Sequence, residues 1–338
     1  MANLLTEITE IVTGLGMTGI GSLKEALGLR PDVMRYVAPE NWDRLDAAYY
    51  NGIHLEAFSE SWANGRAFLE SPDGLRNREP MLIEWKGSHQ PPGFDFLPAD
   101  IRVDHVYLVS CKYQSKILAN SSPSNLFLRR LADRTAAPET ESWYSLCAPE
   151  NYQHFYCCVR RHIGRELLPL EARDLTKADL SRIRTACGGT WPTPLSGLWE
   201  ELSFAVAEIS ASKWSTQIPA PKQRREMLWR LLRLNPSPYF VLGSGDSGPL
   251  RIRVGTPWDW LRRFELSQLD IAAVAAGQPK VTWSARIKDK ELGEERVAEG
   301  HVEIRWSHGR FSSVEAKIYL DTSHNDVPGY FPLAPAPS

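Results

Sequence analysis

The sequence predicts an α+β or α/β protein in which an N-terminal α/β core is followed by a mixed helical and antiparallel β-rich C-terminal region. Three observations carry this. Apolar residues recur at helix spacing between residues 41 and 70, two β-rich apolar runs follow at 81–86 and 101–113, and beyond Pro236 the pattern changes to period-two alternation. A helix, strand, strand, helix order is that of a sheet covered by helices.

Residues 1–30 read as one or two helices interrupted by Gly14, Gly16, Gly19 and Gly21. From Asn41 to Glu70 the chain is helical with a break at Asn51-Gly52, and Glu56, Glu60 and Asn64 fall on one polar stripe. Ser71–Pro80 is a turn-rich link, Met81–Lys86 a strand, and 87–98 a loop rich in proline and glycine. Ile101 to Tyr113 reads as one long strand. Ser122 and Ser124 open a capped helix ahead of Leu126-Phe127-Leu128. Further helices are expected at 198–212 and 222–234, and strands at 239–242, 250–254, 281–288, 300–306 and 313–320. This gives an α/β domain over 1–140, a mainly helical region over 141–235, an antiparallel β-rich module over 236–331 and a disordered Pro/Ala-rich tail over 332–338.

Composition narrows the function classes. The net charge of −2 advertises no polyanion partner globally, so any nucleic-acid surface must be local. No apolar run approaches the roughly 18 residues that a membrane span needs. A cytoplasmic location without membrane partners is expected. Five cysteines in odd number and without CxxC spacing argue against a disulfide framework or a zinc knuckle and are expected as reduced thiols. The twelve tryptophans are expected as core anchors rather than base-stacking platforms. No GxGxxG, P-loop or GxSxG motif occurs.

The chemistry concentrates in Asp104-His105-Val106-Tyr107-Leu108-Val109-Ser110-Cys111-Lys112, where an acid and a lysine bracket an apolar run. Charges on buried β-structure are costly unless they pair or hold a metal. Upstream lie the acidic strand Ile83-Glu84-Trp85-Lys86 and the helix bearing Glu56 and Glu60. Helix glutamate, strand acid and strand lysine, in that order, resemble the active site of the PD-(D/E)XK nuclease superfamily, over roughly residues 41–135. The first domain is then expected to be restriction-endonuclease-like.

The resemblance implies Mg²⁺- or Mn²⁺-dependent hydrolysis of phosphodiester bonds in DNA, less often RNA, as in bacterial defence or repair. Lys112, Asp104, Glu84 and Ser110 would be the catalytic set. Asp104, Glu84, Glu56, Glu60 and Cys111 are the candidate metal ligands, although Cys111 also reads as a small core residue.

One departure stands out: Ser110 occupies the position, two before the lysine, where the family carries an acid. Either Glu84 takes the role, or the helix glutamates compensate, or the site is inactive and the protein only binds nucleic acid or a partner. On a straight strand Asp104 and Ser110 would be about 20 Å apart at roughly 3.3 Å per residue, so this reading needs a bend or hairpin between them. A second register takes Glu84-Trp85-Lys86 as the acid-x-lysine pair. The plain alternative has Asp104 capping a turn or pairing with Arg102, and Lys112 pairing with Glu84.

Lys116, Ser122, Ser124 and Arg129 suggest a phosphate seat at a helix start, and Arg224 and Arg225 a phosphate-lining helix face, with an N-cap and a solvated face as the plain alternatives. The C-terminal region is the expected route to a homodimer or a protein partner.

Overall fold

The structure is a computed structural model that describes residues 4–87, 99–113, 117–132, 141–164, 167–245, 248–275 and 277–335. The chain folds as two compact units, each drawn from separated stretches: unit 1 from Met1–Lys116, Arg233–Phe264 and Ser323–Ser338, unit 2 from Ile117–Leu232 and Glu265–Thr322. Among the described residues no helix is long and apolar enough to cross a membrane.

Unit 1 holds α1 (Leu4–Gly16), α2 (Leu23–Leu29), α3 (Pro39–Tyr50), α4 (Leu55–Glu70) and α11 (Pro257–Arg263), numbered along the whole chain. Its strands are β1 (Met34–Arg35), β2 (Ile83–Trp85), β3 (Ile101–Val103), β4 (Tyr107–Tyr113), β6 (Tyr239–Gly245), β7 (Gly248–Val254) and β12 (Tyr330–Pro332). They form one mixed sheet in the order β1-β2-β3-β4-β6-β7-β12, in which β1–β2 and β4–β6 are parallel.

Helix α1 forms because Leu4, Ile8, Ile11, Val12 and Leu15 recur at helix spacing, and it buries that stripe with Phe58 and Phe68 of α4 against Ile83, Ile101, Val109 and Leu242 of the sheet. Two glycines set how closely the helices approach. A methyl on Gly16 would lie 2.5 Å from the Trp62 carbonyl oxygen, and one on Gly65 would overlap that of Thr13. The break between α3 and α4 falls where expected, with Gly52 at φ +74°.

The long strand expected over 101–113 is instead a hairpin. Asp104 and His105 both take positive φ (48° and 58°), and Val106 N–H closes on Val103 C=O at 3.0 Å. The connection is three residues long, since β3 and β4 pair Val103 with Tyr107 and leave Asp104, His105 and Val106 between them, and aspartate tolerates a left-handed backbone.

Unit 2 holds α5 (Pro123–Phe127), α6 (Trp143–Cys147), α7 (Pro149–Ile163), α8 (Lys177–Cys187), α9 (Thr193–Gln217) and α10 (Pro221–Leu231). Its strands are β5 (Ile117–Ser121), β8 (Phe264–Val274), β9 (Lys280–Asp289), β10 (Glu295–Trp306) and β11 (Val314–Leu320), in the sheet order β5-β11-β10-β9-β8. One sheet face alternates Val281, Trp283, Ala285 and Ile287 inward, as period-two patterning requires. Tyr144, Trp199 and Trp306 join a ring-on-ring cluster, with Tyr144 and Trp306 stacked at 4.7 Å, and Trp143 stacks on Phe127 at 5.6 Å.

The linear division at about residues 140 and 235 does not coincide with these units. The stretch 236–331 contributes β6, β7 and β12 to the mixed sheet and β8–β11 to the antiparallel one. Nor is the tail free over its described part: Leu333 N–H bonds Arg251 C=O at 2.8 Å, and Ala334 N–H bonds Asp73 at 3.0 Å.

Candidate functional site

The β3–β4 register pairs Ile101 with Val109 and Val103 with Tyr107, which brings the residue just before β3, Asp100, opposite Ser110. Asp100 is held in the ladder through its own backbone, its N–H on Val109 C=O and its C=O on Lys86 N–H, both at 2.8 Å. Its Oδ2 accepts from the Cys111 N–H at 2.7 Å and the Ser110 hydroxyl at 3.1 Å, so the carboxylate's orientation is fixed.

Facing this acid is Glu10 of α1, whose Oε2 accepts the Trp85 indole N–H at 2.6 Å. Leu5, Thr6, Thr9, Glu10, Asp100, Cys111, Lys112 and Tyr113 line one cavity of about 290 Å³.

The electrostatics of the cavity follow from this crowding. Burial, reinforced by the Asp100 charge, pushes the Glu10 carboxyl up to about 8, against the pull of Trp85, Lys112 and Lys86. Burial and then the Arg233 charge lower Lys112, while Asp100, Cys111 and Glu10 support its ammonium. Burial, then Asp100 and Glu10, push the Cys111 thiol well up. His324 is lowered by burial and then by Lys112. No hydrogen bond or ion pair within the described residues ties the Lys112 ammonium, which faces two carboxylates in a half-buried position.

The expected site residues distribute differently. Lys112 and Ser110 belong to this cavity's strand, but Asp104 stands at the opposite, turn end of the hairpin. There its Oδ1 accepts the Met81 and Leu82 N–H groups at 2.8 and 3.0 Å, and its Oδ2 lies 3.4 Å from Arg78. It serves as a turn anchor, not as a partner of Lys112.

Glu84 lies on β2, buried, gripped by Arg102 through both oxygens at 2.6 and 2.8 Å and approached by His105 at 3.2 Å. The Arg102 bonds hold its carboxyl below the usual range. Of the plain alternatives, the turn role of Asp104 is the one observed, whereas its pairing with Arg102 and that of Lys112 with Glu84 give way to Arg102 with Glu84, because Glu84 and Arg102 are direct cross-strand neighbours.

In the polar stripe of α4, Glu60 and Asn64 bond to strands, and Glu56 is exposed. Glu60 accepts the Ser244 hydroxyl at 2.5 Å, and Asn64 accepts Arg251 Nε–H at 2.8 Å. Glu56 and Glu60 contribute, after burial, to raising the Tyr113 phenol. Cys111, held as a neutral thiol, is a poor ligand for a hard cation.

Lys116 lies outside the described residues. Ser122 is a plain N-cap, accepting Asn125 N–H at 3.3 Å, and the C=O of Ser124 receives Arg129 N–H at 3.2 Å. Arg224 donates to Ile218 C=O at 3.1 Å, and the Arg225 guanidinium lies 5.3 Å from the Trp229 ring centre. Ser122, Ser124, Arg129, Arg224 and Arg225 belong to unit 2, whereas Lys112 belongs to unit 1.

Glu10 and Asp100 are the two acids that sequence patterning passes over. Glu10 looks like an ordinary polar position on an amphipathic helix. Asp100 emerges only once Asp104-His105 is read as a turn, since that register sets it opposite Ser110.

Among the described residues no group of three or more His, Cys, Asp or Glu side chains is arranged to enclose a metal ion. The cavity offers two carboxyl groups, Glu10 and Asp100, and Mg²⁺ is an ion that keeps several waters and takes one or two protein carboxylates. Glu10 is raised first by burial and then by the Asp100 charge, and a cation beside the two acids would relieve that second effect. Comparison with protein-family models, characterised proteins and solved structures finds no match for this chain.

Proposed function

We propose that unit 1 is a divalent-metal-dependent nuclease centre of PD-(D/E)XK type, hydrolysing phosphodiester bonds in DNA, and less readily RNA. The observation that carries this reading is the convergence of Glu10, Asp100 and Lys112 on one cavity, with Asp100 locked beside Ser110 two residues before the lysine.

Asp100 and Glu10 would hold Mg²⁺ or Mn²⁺, which when bound activates water and offsets the charge gathering on the phosphate. Asp100 would present its Oδ1, because Cys111 N–H and Ser110 Oγ–H both bond its Oδ2. Lys112 orients the attacking water and neutralises the transition state, a role that desolvation strengthens because charge interactions grow in a water-poor cavity. Ser110 contributes through Asp100 rather than as the acid its position would carry.

Full-length protein incubated with Mg²⁺ or Mn²⁺ and plasmid, linear duplex, single-stranded DNA or RNA should cleave at least one substrate, and Lys112→Ala should not. Uncut substrates throughout would sink the reading.

One observation favours a second reading, a non-catalytic module that binds nucleic acid or protein: Ser110 leaves the centre one carboxylate short. Calorimetric titration with Mn²⁺ separates the two. The nuclease reading expects a site that Asp100→Ala abolishes, and the binding reading expects none.

A further inference from the structure

The Glu10 carboxyl is tethered where it lines the cavity. Its Oε2 is bonded to the indole N–H of Trp85, a side chain 2 % exposed on β2. The indole ring is confined in turn by Gly87: a methyl group there would lie 2.8–2.9 Å from three carbons of its benzo edge, and Gly87 takes φ +46°. Two independent features, a short hydrogen bond and a glycine that leaves room for the ring, thus specify the orientation of one donor.

We propose that Trp85, held by Gly87, is the positioning residue of the cation site: it engages Oε2 and leaves Oε1 of Glu10 for the metal. The inference rests on the nuclease reading above and deepens it. The choice of side chain has a chemical reason. An arginine or lysine at this place would neutralise the carboxylate that must attract a cation, whereas the indole N–H donates without a charge and cannot be deprotonated at ordinary pH. Hydrogen-bond partners behind metal ligands typically govern affinity about 10- to 100-fold.

The test is Mn²⁺ affinity of the full chain, by calorimetry, in wild type, Trp85→Phe, Glu10→Gln and the double variant. Trp85→Phe keeps a ring in the core but loses the donor. It should weaken Mn²⁺ about tenfold, while adding nothing in the Glu10→Gln background, because its effect passes through that carboxylate.

A Trp85→Phe protein that binds Mn²⁺ like wild type overturns the inference and leaves the nuclease reading standing. An equal loss in both backgrounds also overturns it, because the tryptophan then acts through general packing. No Mn²⁺ binding by wild type overturns both.

A second measurement keeps the indole in place, so it stands even where Trp85→Phe fails to fold. In wild-type protein the Trp85 indole N–H resonance should shift on Mg²⁺ titration, and in Glu10→Gln it should not. Gly87→Ala, which keeps the N–H but crowds the ring, should also weaken Mn²⁺. An unmoved indole resonance in metal-loaded wild type counts against the proposal.

Discussion

The two ends of the β3–β4 hairpin carry one aspartate each, four residues apart, and the chain uses them in opposite ways. Asp104, at the turn, is saturated: two backbone N–H groups and an arginine occupy its oxygens. Asp100, at the open end, is fixed along one edge by Ser110 and Cys111 and presents the other to a cavity that also holds Glu10 and Lys112. The difference teaches that a strand acid stays open to a ligand when its orientation is fixed through one oxygen only. A fully satisfied acid stabilises the fold and does little else.

The largest effect that would break this contrast is on turnover. Lys112→Ala should lower cleavage by at least about a hundredfold with little change in nucleic-acid affinity, since a lysine acting on water works mainly in the transition state. Parallel losses of binding and rate would make it a phosphate anchor instead. Asp100→Ala should abolish Mn²⁺ binding, and Asp104→Ala should leave it intact.

Stability does not separate the two aspartates. Asp104→Ala removes the acceptor of the Met81 and Leu82 amides, and Asp100→Ala that of the Cys111 amide and the Ser110 hydroxyl, so each should cost about 1–3 kcal/mol in urea melts. Mn²⁺ affinity distinguishes anchor from site, and its loss in Asp104→Ala would erase the distinction.

The placement of Glu10 depends on how α1 meets α4. Gly65→Ala adds a methyl where the Thr13 carbonyl oxygen stands. It should destabilise by about 1–3 kcal/mol and weaken Mn²⁺ binding, because α1 must move. Lost stability with unchanged Mn²⁺ affinity would show that the helix contact and the site are uncoupled.

A smaller and more particular signature is the pH dependence. The folded chain keeps the Glu10 proton up to about pH 8, against 4.5 ordinarily. Unfolding therefore releases a proton in this window, and metal-free stability should fall as pH rises through it. Glu10→Gln should flatten that slope, and saturating Mg²⁺ should offset the loss at high pH. A wild-type slope identical to that of Glu10→Gln would remove Glu10 from the account.

The smallest expected change is that of Ser110→Asp. It adds a hard oxygen ligand and should tighten Mn²⁺ a few-fold, while like-charge repulsion with Asp100 lowers metal-free stability. No change in either quantity would place Ser110 outside the site.

Much was legible in the sequence by itself. Apolar period fixed α1, α4 and α9 in kind, Gly52 marked the α3–α4 break, and alternation marked β6, β7 and β9–β11. Lys112 and Ser110 stood out because a lysine two residues from a polar position on an apolar strand is chemically unusual. Local patterning reports local geometry, and these features are local.

Tertiary structure alone decided which acids meet that lysine. The Asp104-His105 turn hides inside an apolar run, and the hairpin register it sets moves the partner of Ser110 from Asp104 to Asp100. Glu10 is 90 residues from Asp100 in sequence, and only the glycine-mediated approach of α1 to α4 and the Trp85 bond orient it toward the cavity. Glu84 was diverted by a cross-strand arginine directly opposite it. Which charges neutralise one another depends on through-space distance, and distance across a sheet or between helices is set by register and packing, which no single stretch of sequence contains.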